Sequence, residues 1–224
     1  MEPDFSEMDR SPSKVRLLDC ALHVFRAKGY AATTADDVCA AAGVTKGSFF
    51  HHFKSKEDLA LEAISYWNDV TGRLFADAPY QRIEDPRERL LAYIDFRADL
   101  IRGEVPDFTC LLGTLVQDVF ETNPGLREAC DAGIRAHAMD VAKTVQQAKA
   151  MYAPNATWDA KSVGLYTQAA LQGAFVLAKA RNSMKPALDS VVHLRNYIEM
   201  LLSQPVVPPR KTAAKRSPIK ERRK

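Results

Sequence analysis

The sequence predicts an all-α protein of about nine helices, a small three-helix head followed by a larger helical body. Three observations predict it. Apolar residues recur at three- and four-residue steps almost continuously from Ser13 to Gln204. Strict alternation of β-branched residues, the mark of a half-buried strand, is absent. Hydroxyl or acidic caps, glycines and prolines punctuate the chain at helix-length intervals.

The first helix is predicted to start near Pro12 or Ser13. It shows Val15, Leu18, Leu22 and Phe25 on one side and closes at Gly29. Thr33 and Thr34 precede the next apolar run, where a hydroxyl can accept a free first-turn N–H. Asp36 and Asp37 then sit beside the positive end of the helix dipole. Val38, Cys39 and Ala42 form the small-residue face, and Gly43 ends the helix where a left-handed residue costs least. Val44 can plug the turn. Thr45 restarts a short helix through Lys46, Gly47, Ser48, Phe49, Phe50, His51, His52 and Phe53.

Ser55, with Asp58 three residues on, caps a longer helix to about Ala76, with Leu59, Ala63, Tyr66, Val70 and Leu74 as its stripe. Asp77 to Asp85 reads as a loop. Pro86 begins the next helix at a favoured first-turn position, and Gly103 to Pro106 breaks it. Further helices are predicted from about Cys110 to Phe120, Leu126 to Tyr152, Trp158 to Arg181 and Pro186 to Ser203.

The 224 residues, 46% of them apolar, suffice for one or two domains with a buried core. The acidic start lacks the apolar stretch of a secretion signal. No run of about 18 apolar residues is present to span a bilayer. A soluble, cytoplasmic protein with no membrane partner is expected. Cys20, Cys39, Cys110 and Cys130 fit neither a zinc ribbon nor a CxxC pair. No metal and no cofactor is expected.

The net charge of +3 is unevenly spread. Residues 210–224 carry eight cations against Glu221, a net of +7, so residues 1–209 carry about −4. Affinity for a polyanion must therefore come from a local patch. The predicted organisation is a disordered segment 1–12, a head 13–60, a body 61–204 and a disordered basic tail 205–224. That tail is either a solvated end or a source of salt-sensitive, sequence-independent DNA affinity.

Two short helices joined by a glycine turn form a helix-turn-helix, whose second helix can lie in a major groove. The run Gly43, Val44, Thr45, Lys46, Gly47, Ser48, the aromatics to Phe53, then Lys54, Ser55 and Lys56 resembles the DNA-binding domain of TetR/AcrR-type bacterial transcriptional regulators. The resemblance runs from about Val15 to Ile64. It implies a DNA-reading head joined to a ligand-binding and dimerising helical body.

By position, Lys46, Gly47, Ser48 and His51 are the candidates for base contacts. Lys46 can donate to guanine acceptors, Ser48 can serve either base type, and Gly47 lets backbone approach closely. Thr34, Thr45, Phe50, His52 and Lys56 are the candidates for phosphate contacts, which set register without reading sequence. Similar proteins usually carry a tyrosine where this chain has Phe50. Its hydroxyl is missing here, and His51 or His52 can supply the donor instead.

The last helix carries Ala187, Val191, Leu194, Ile198 and Leu201 at four- and three-residue steps, a coiled-coil-like seam. With Gly173 on its partner helix, Val191, Leu194, Ile198 and Leu201 are the expected homodimer interface. The alternative is that this stripe only closes the core of one chain. One short helix reads few base pairs, so two half-sites and a two-fold axis favour dimerisation.

The resemblance implies an inducer pocket in the body. Polar or aromatic residues on apolar helices are the candidates for its lining: Tyr93, Phe96, Arg97, Thr114, Gln117, Tyr166 and Gln172, together with Cys110. Cys110 opens a helix, where the dipole favours the thiolate, so a thiol-based redox or electrophile sensor is an alternative. A helical ligand-binding protein that no longer binds DNA is another. An enzyme is not expected. His23, His51, His52, His137 and His193 are scattered, without a nucleophile–base–acid spacing.

Overall fold

The structure, a computed structural model, describes residues 11–203. The predicted disorder of residues 1–10 and of the basic tail lies outside them. Ser11 caps the first helix and Pro12 opens it, at the start expected near Pro12 or Ser13. Helix α1 (Pro12–Lys28) starts at Pro12, and the Ser11 hydroxyl accepts from the Lys14 N–H.

The head follows the predicted order. Helix α2 (Ala35–Ala42) is capped by Thr34, not Thr33. The Thr34 hydroxyl accepts from the Asp37 N–H at 3.1 Å, and the Asp37 carboxylate accepts from the Thr34 N–H at 2.8 Å. These bonds satisfy two N–H groups at the helix start. Thr33 is buried and donates to the Gly29 carbonyl. Gly43 ends α2 at φ 62°, a conformation that penalises any residue with a Cβ. Helix α3 (Lys46–His52) is capped by Thr45 and α4 (Lys56–Ala76) by Ser55.

Leu17, Leu18 and Phe25 of α1, Val38 of α2, Phe49 of α3, Phe53 after it and Leu59 of α4 are wholly buried against one another. Removing each such side chain from water contributes about 1.5–3 kcal/mol. This core does not stop at residue 60. It includes Leu111, Leu115 and Val119 of α7 (Leu111–Val119) and Leu126 and Cys130 of α8 (Pro124–Tyr152). Head and body therefore share apolar ground, and α4 runs unbroken from one into the other.

The body adds α5 (Pro86–Asp99), α6 (Val105–Phe108), α9 (Ala160–Arg181) and α10 (Lys185–Leu202), with a 3-10 turn at Pro79–Arg82. Ten α-helices are present among the described residues. The addition is α6, a single turn inside the segment read as a break. The Asp107 carboxylate accepts from the Glu104 N–H at 2.9 Å and the Glu104 carbonyl accepts from the Asp107 N–H, so Pro106 sits in a first turn and interrupts nothing. Helices α8, α9, α10 and α5 enclose a second core around Leu90, Ile94, Val145, Leu171 and Ala178. A Cβ on Gly164 of α9 would stand 2.5 Å from the Ala138 carbonyl of α8, so glycine sets how closely these two helices approach.

The seam on α10 is corrected. Val191, Leu194 and Ile198 are 3%, 3% and 1% exposed within a single chain. They pack into the body core with Ala187 and Leu202 and present nothing to a second copy. Leu201 is only half-buried against the same core, and Gly173 lies on the exposed side of α9. The spacing was right for a buried stripe, but the body core was its destination.

Candidate nucleic-acid interface and ligand cavity

The α3 surface is set by which aromatics face inward. Phe49 and Phe53 are wholly buried, with ring centroids 5.6 Å apart. This anchors α3 and turns Lys46, Gly47, Phe50 and His51 outward, with Ser48 at the margin. Nothing inside the fold requires Gly47, because an added Cβ would meet only the Thr45 hydroxyl at 3.7 Å. Its lack of a side chain matters only to something arriving from outside.

The proposed DNA-contacting side chains divide by what already holds them. Lys46 pairs with Asp36 at 2.9 Å, both well exposed. Thr45 accepts from the Ser48 N–H, which leaves its hydroxyl proton free to donate. The Thr34 hydroxyl both accepts from and donates to Asp37. Lys28 adds a bond to the same carboxylate, so Asp37 is held far below the usual carboxylate range, by Lys28 first and Thr34 second. Thr34 is thus committed to its own helix start.

His52 is half-buried and turned to α1, with Nε2 2.7 Å from the Ser13 hydroxyl. Desolvation, then the charges of His51 and Lys14, push its pKa below the ordinary value. It braces the helices more than it faces solvent. Lys56 donates to the Tyr30 carbonyl at 2.9 Å and lies over the Tyr30 ring. Phe50 is 54% exposed, and its phenyl ring carries no donor for a phosphate. At a phosphate it can therefore offer van der Waals contact alone. An exposed apolar ring suits a sugar face or a thymine methyl.

His51 and His52 stand edge to face at 4.8 Å. Among the described residues no group of three His, Cys, Asp or Glu side chains could hold a metal.

A cavity of about 640 Å³ opens between α4, α5, α7, α8 and α9. Its wall is largely apolar: Trp67, Val70, Leu74, Phe75, Leu100, Ile101, Phe108, Leu112, Ile134 and Phe175. Size and lining are those of a small-molecule site. Of the residues singled out from sequence, Cys110, Arg97 and Gln172 line it. Four others do not. Phe96 packs behind the wall against Phe75 and Tyr80. Thr114 accepts from Lys179 and donates to the Cys110 carbonyl. Gln117 is exposed and bonds back to Gly113. Tyr166 leans against Tyr197 at the outer surface, the two rings tilted by 58°.

The cavity residues missed by sequence reading come mainly from the α4 half past Trp67 and from α8, with Arg26 of α1. Arg26 is the informative one, because it belongs to the head. Its Nε donates to the Leu22 carbonyl and its Nη1 to the carbonyls of Asp107 and Thr109. Burial, partly offset by Asp107, lowers its pKa. Nearby, the Asp118 carboxylate accepts from the Tyr30 N–H at 2.8 Å. These bonds fasten the end of α1 to the body.

At the other end of the cavity His137 shares a hydrogen bond of 3.0 Å with the Tyr93 hydroxyl, which also accepts from Gln168. Burial first, then the positive charge of Arg97, pushes His137 down to about 4, so it is neutral near neutral pH. No described helix is long and apolar enough to cross a membrane.

Residues 17–63 match the family profile of bacterial regulatory proteins of the tetR family, and residues 86–193 match the tetracyclin repressor-like C-terminal domain. The chain is 24% identical over 205 residues to the HTH-type transcriptional regulator LmrA of Bacillus subtilis, covering 88% of this chain and all of LmrA. It is 43% identical over 54 residues to the regulator YerO of the same organism, which is 24% of this chain and 19% of YerO. It is 29% identical over 106 residues to the repressor DhaR of a Mycobacterium, spanning 47% of this chain and 52% of DhaR. Among solved structures, a TetR transcriptional regulator from Chloroflexus aurantiacus superposes with a TM-score of 0.71 at 28% identity, covering 84% of this chain and 94% of its own. The regulatory protein TetR from Rhodobacter sphaeroides shares the fold with a TM-score of 0.72 at 23% identity, covering 84% and 99%. With both domains matched in order and the recognition-type α3 facing outward, the chain belongs to the tetR family of bacterial helix-turn-helix transcriptional regulators.

Proposed function

We propose that the protein is a homodimeric repressor that binds a palindromic operator and releases it when a small molecule occupies the body cavity. The observation that carries this reading is Arg26. One residue both extends from the head's first helix and lines the cavity, so an occupant touches the reading unit directly. Lys46, Gly47, Ser48 and His51 face base edges, with Phe50 against the groove wall. The hydroxyl of Thr45 and the ammonium groups of Lys54 and Lys56 meet phosphates.

The dimer forms through the outer face of α9 and α10. Leu165, Tyr166, Val176 and Leu177 of α9 and Val192 and Met200 of α10 are each between 44% and 64% exposed. Gly173 and Ala169 lie flat between them. An apolar strip of this extent on two adjacent helices suits an isologous contact. Two heads set about 34–36 Å apart then meet successive major grooves. A ligand that binds the other head spacing more tightly lowers operator affinity by that difference.

A gel shift against the DNA upstream of the chain's own coding region tests the reading. Wild type is expected to shift it as a dimer. Lys46→Ala is expected to weaken binding by about 1–3 kcal/mol with an unchanged melting temperature. A protein that sediments as a monomer and leaves the DNA unshifted refutes the proposal.

A second reading rests on Cys110, which is half-buried and lines the cavity. An electrophile entering there could alkylate it and act as the inducer. The neighbouring Cys130 is wholly buried and pushed up to about 12 by desolvation, so it does not compete. Alkylation is expected to release DNA from wild type and not from Cys110→Ser. Equal affinity before and after treatment removes this reading.

A further inference from the structure

We propose that the occupant of the cavity is an amphipathic carboxylate, an apolar chain or ring with one anionic head, and that Arg97 meets the charge. This rests on the ligand-release reading above.

The charge distribution in the wall points to it. Two guanidinium groups, Arg26 and Arg97, line a surface that is otherwise mostly apolar. Arg26 is engaged with three main-chain carbonyls, at 2.9, 2.9 and 3.4 Å. Arg97 has no hydrogen-bond or ion-pair partner among the described residues. Its guanidinium lies over the Phe75 ring, 5.1 Å from the centroid. A half-buried guanidinium whose donors are unclaimed can hold an anion of fork geometry through two parallel hydrogen bonds.

The two carboxylates on the wall are occupied. Asp107 caps α6 by accepting from the Glu104 N–H at 2.9 Å and faces His23 at 3.4 Å. Asp140 pairs with Lys143 at 2.7 Å. His137, whose ring lies 4.5 Å from that of Phe75, is bonded to Tyr93. Both carboxylates on the wall are thus already paired, whereas the Arg97 guanidinium is left to receive an anion. Phe108, Phe175, Ile101 and Leu100 supply the contact for an apolar body. Arg26 adds a second positive charge at the head end, which draws the anion's field toward α1.

The test uses the full chain and displacement of Nile red, an uncharged fluorophore, by four ten-carbon probes: decanoate, decanol, methyl decanoate and decylamine. Decanoate is expected to bind at least about tenfold tighter than decanol or the ester, with decylamine weakest. Arg97→Gln is expected to abolish the preference while keeping wild-type affinity for decanol, which shows that the cavity is intact. Arg97→Lys should restore part of it. Circular dichroism melting of both variants checks the fold. Equal binding of decanoate and decanol by wild type overturns the anion assignment and leaves the cavity as a ligand site. A preference that survives in Arg97→Gln overturns the role of Arg97. Failure of Nile red and every probe to bind overturns both the assignment and the ligand-release reading.

Discussion

Head and body use the same helical material in opposite ways. In the head, three phenylalanines, Phe25, Phe49 and Phe53, are wholly buried with the leucines around them between four helices. In the body, helices of comparable apolar content are arranged around a hollow of about 640 Å³. A second hollow of about 480 Å³ adjoins it across Gly72, Phe75, His137 and Asp140. The difference teaches where precision is needed. A side chain that reads a base edge must be held to fractions of an ångström, while a site for a small molecule needs room.

The comparison breaks first, and hardest, at the head's aromatic core. Phe49→Ala or Phe53→Ala should cost about 3–5 kcal/mol of stability, read from chemical denaturation. Leu74→Ala, at the cavity rim and 41% exposed, should cost well under half as much. Similar losses at both places would mean that the hollow is not open in solution.

Acid sharpens the contrast next, because the histidine pushed furthest down by desolvation, His137, lies in the body, while His52 of the head is also lowered but stands nearer the surface. His137 titrates near about 4 in the fold and near its ordinary value of about 6.5 when unfolded. Between those values the unfolded chain binds more protons, so stability falls as pH drops through that window. The loss should reach at most about 3 kcal/mol, and His137→Gln should flatten that limb of the stability profile. An unchanged profile in the variant would place the acid sensitivity elsewhere.

Two glycines give the smaller effects, of opposite sign. Gly164 is tight against α8, so Gly164→Ala should destabilise by about 1–3 kcal/mol. Gly72 sits mid-helix in α4, where an added Cβ meets nothing within 4 Å. Gly72→Ala should therefore stabilise by about 0.5–1 kcal/mol, through helix propensity alone. Melting temperatures moving in the same direction would refute the packing difference between the two sites.

What the sequence disclosed follows the range of the forces involved. The turn at Gly43 and the caps at Thr45 and Ser55 are local bonds, spanning three or four residues, and they stand where the chemistry of those residues puts them. The stripe on α10 was visible, but a periodic stripe says that a helix buries a face and not what covers it. Val191, Leu194 and Ile198 turned inward, and the weaker signal of scattered Leu165, Val176, Val192 and Met200 marks the outer face. The cavity was least legible. Its wall joins Arg26, Trp67, Arg97 and Gln172, residues from four helices whose meeting depends on the whole fold. Arg97 was noticed as a polar residue on an apolar helix. Nothing local distinguished it from Phe96 or Thr114, which face elsewhere.

The pairing of Asp36 with Lys46 has a consequence for search along a genome. A lysine already neutralised within the protein gives an arriving phosphate a carboxylate to displace, and few condensed sodium ions are set free in the exchange. Random duplex thus gains little from that lysine. On the proposed role of Lys46, only a site whose guanine the ammonium can reach repays the broken pair, and an exposed pair of this kind would weight the choice of address by at most about 1 kcal/mol.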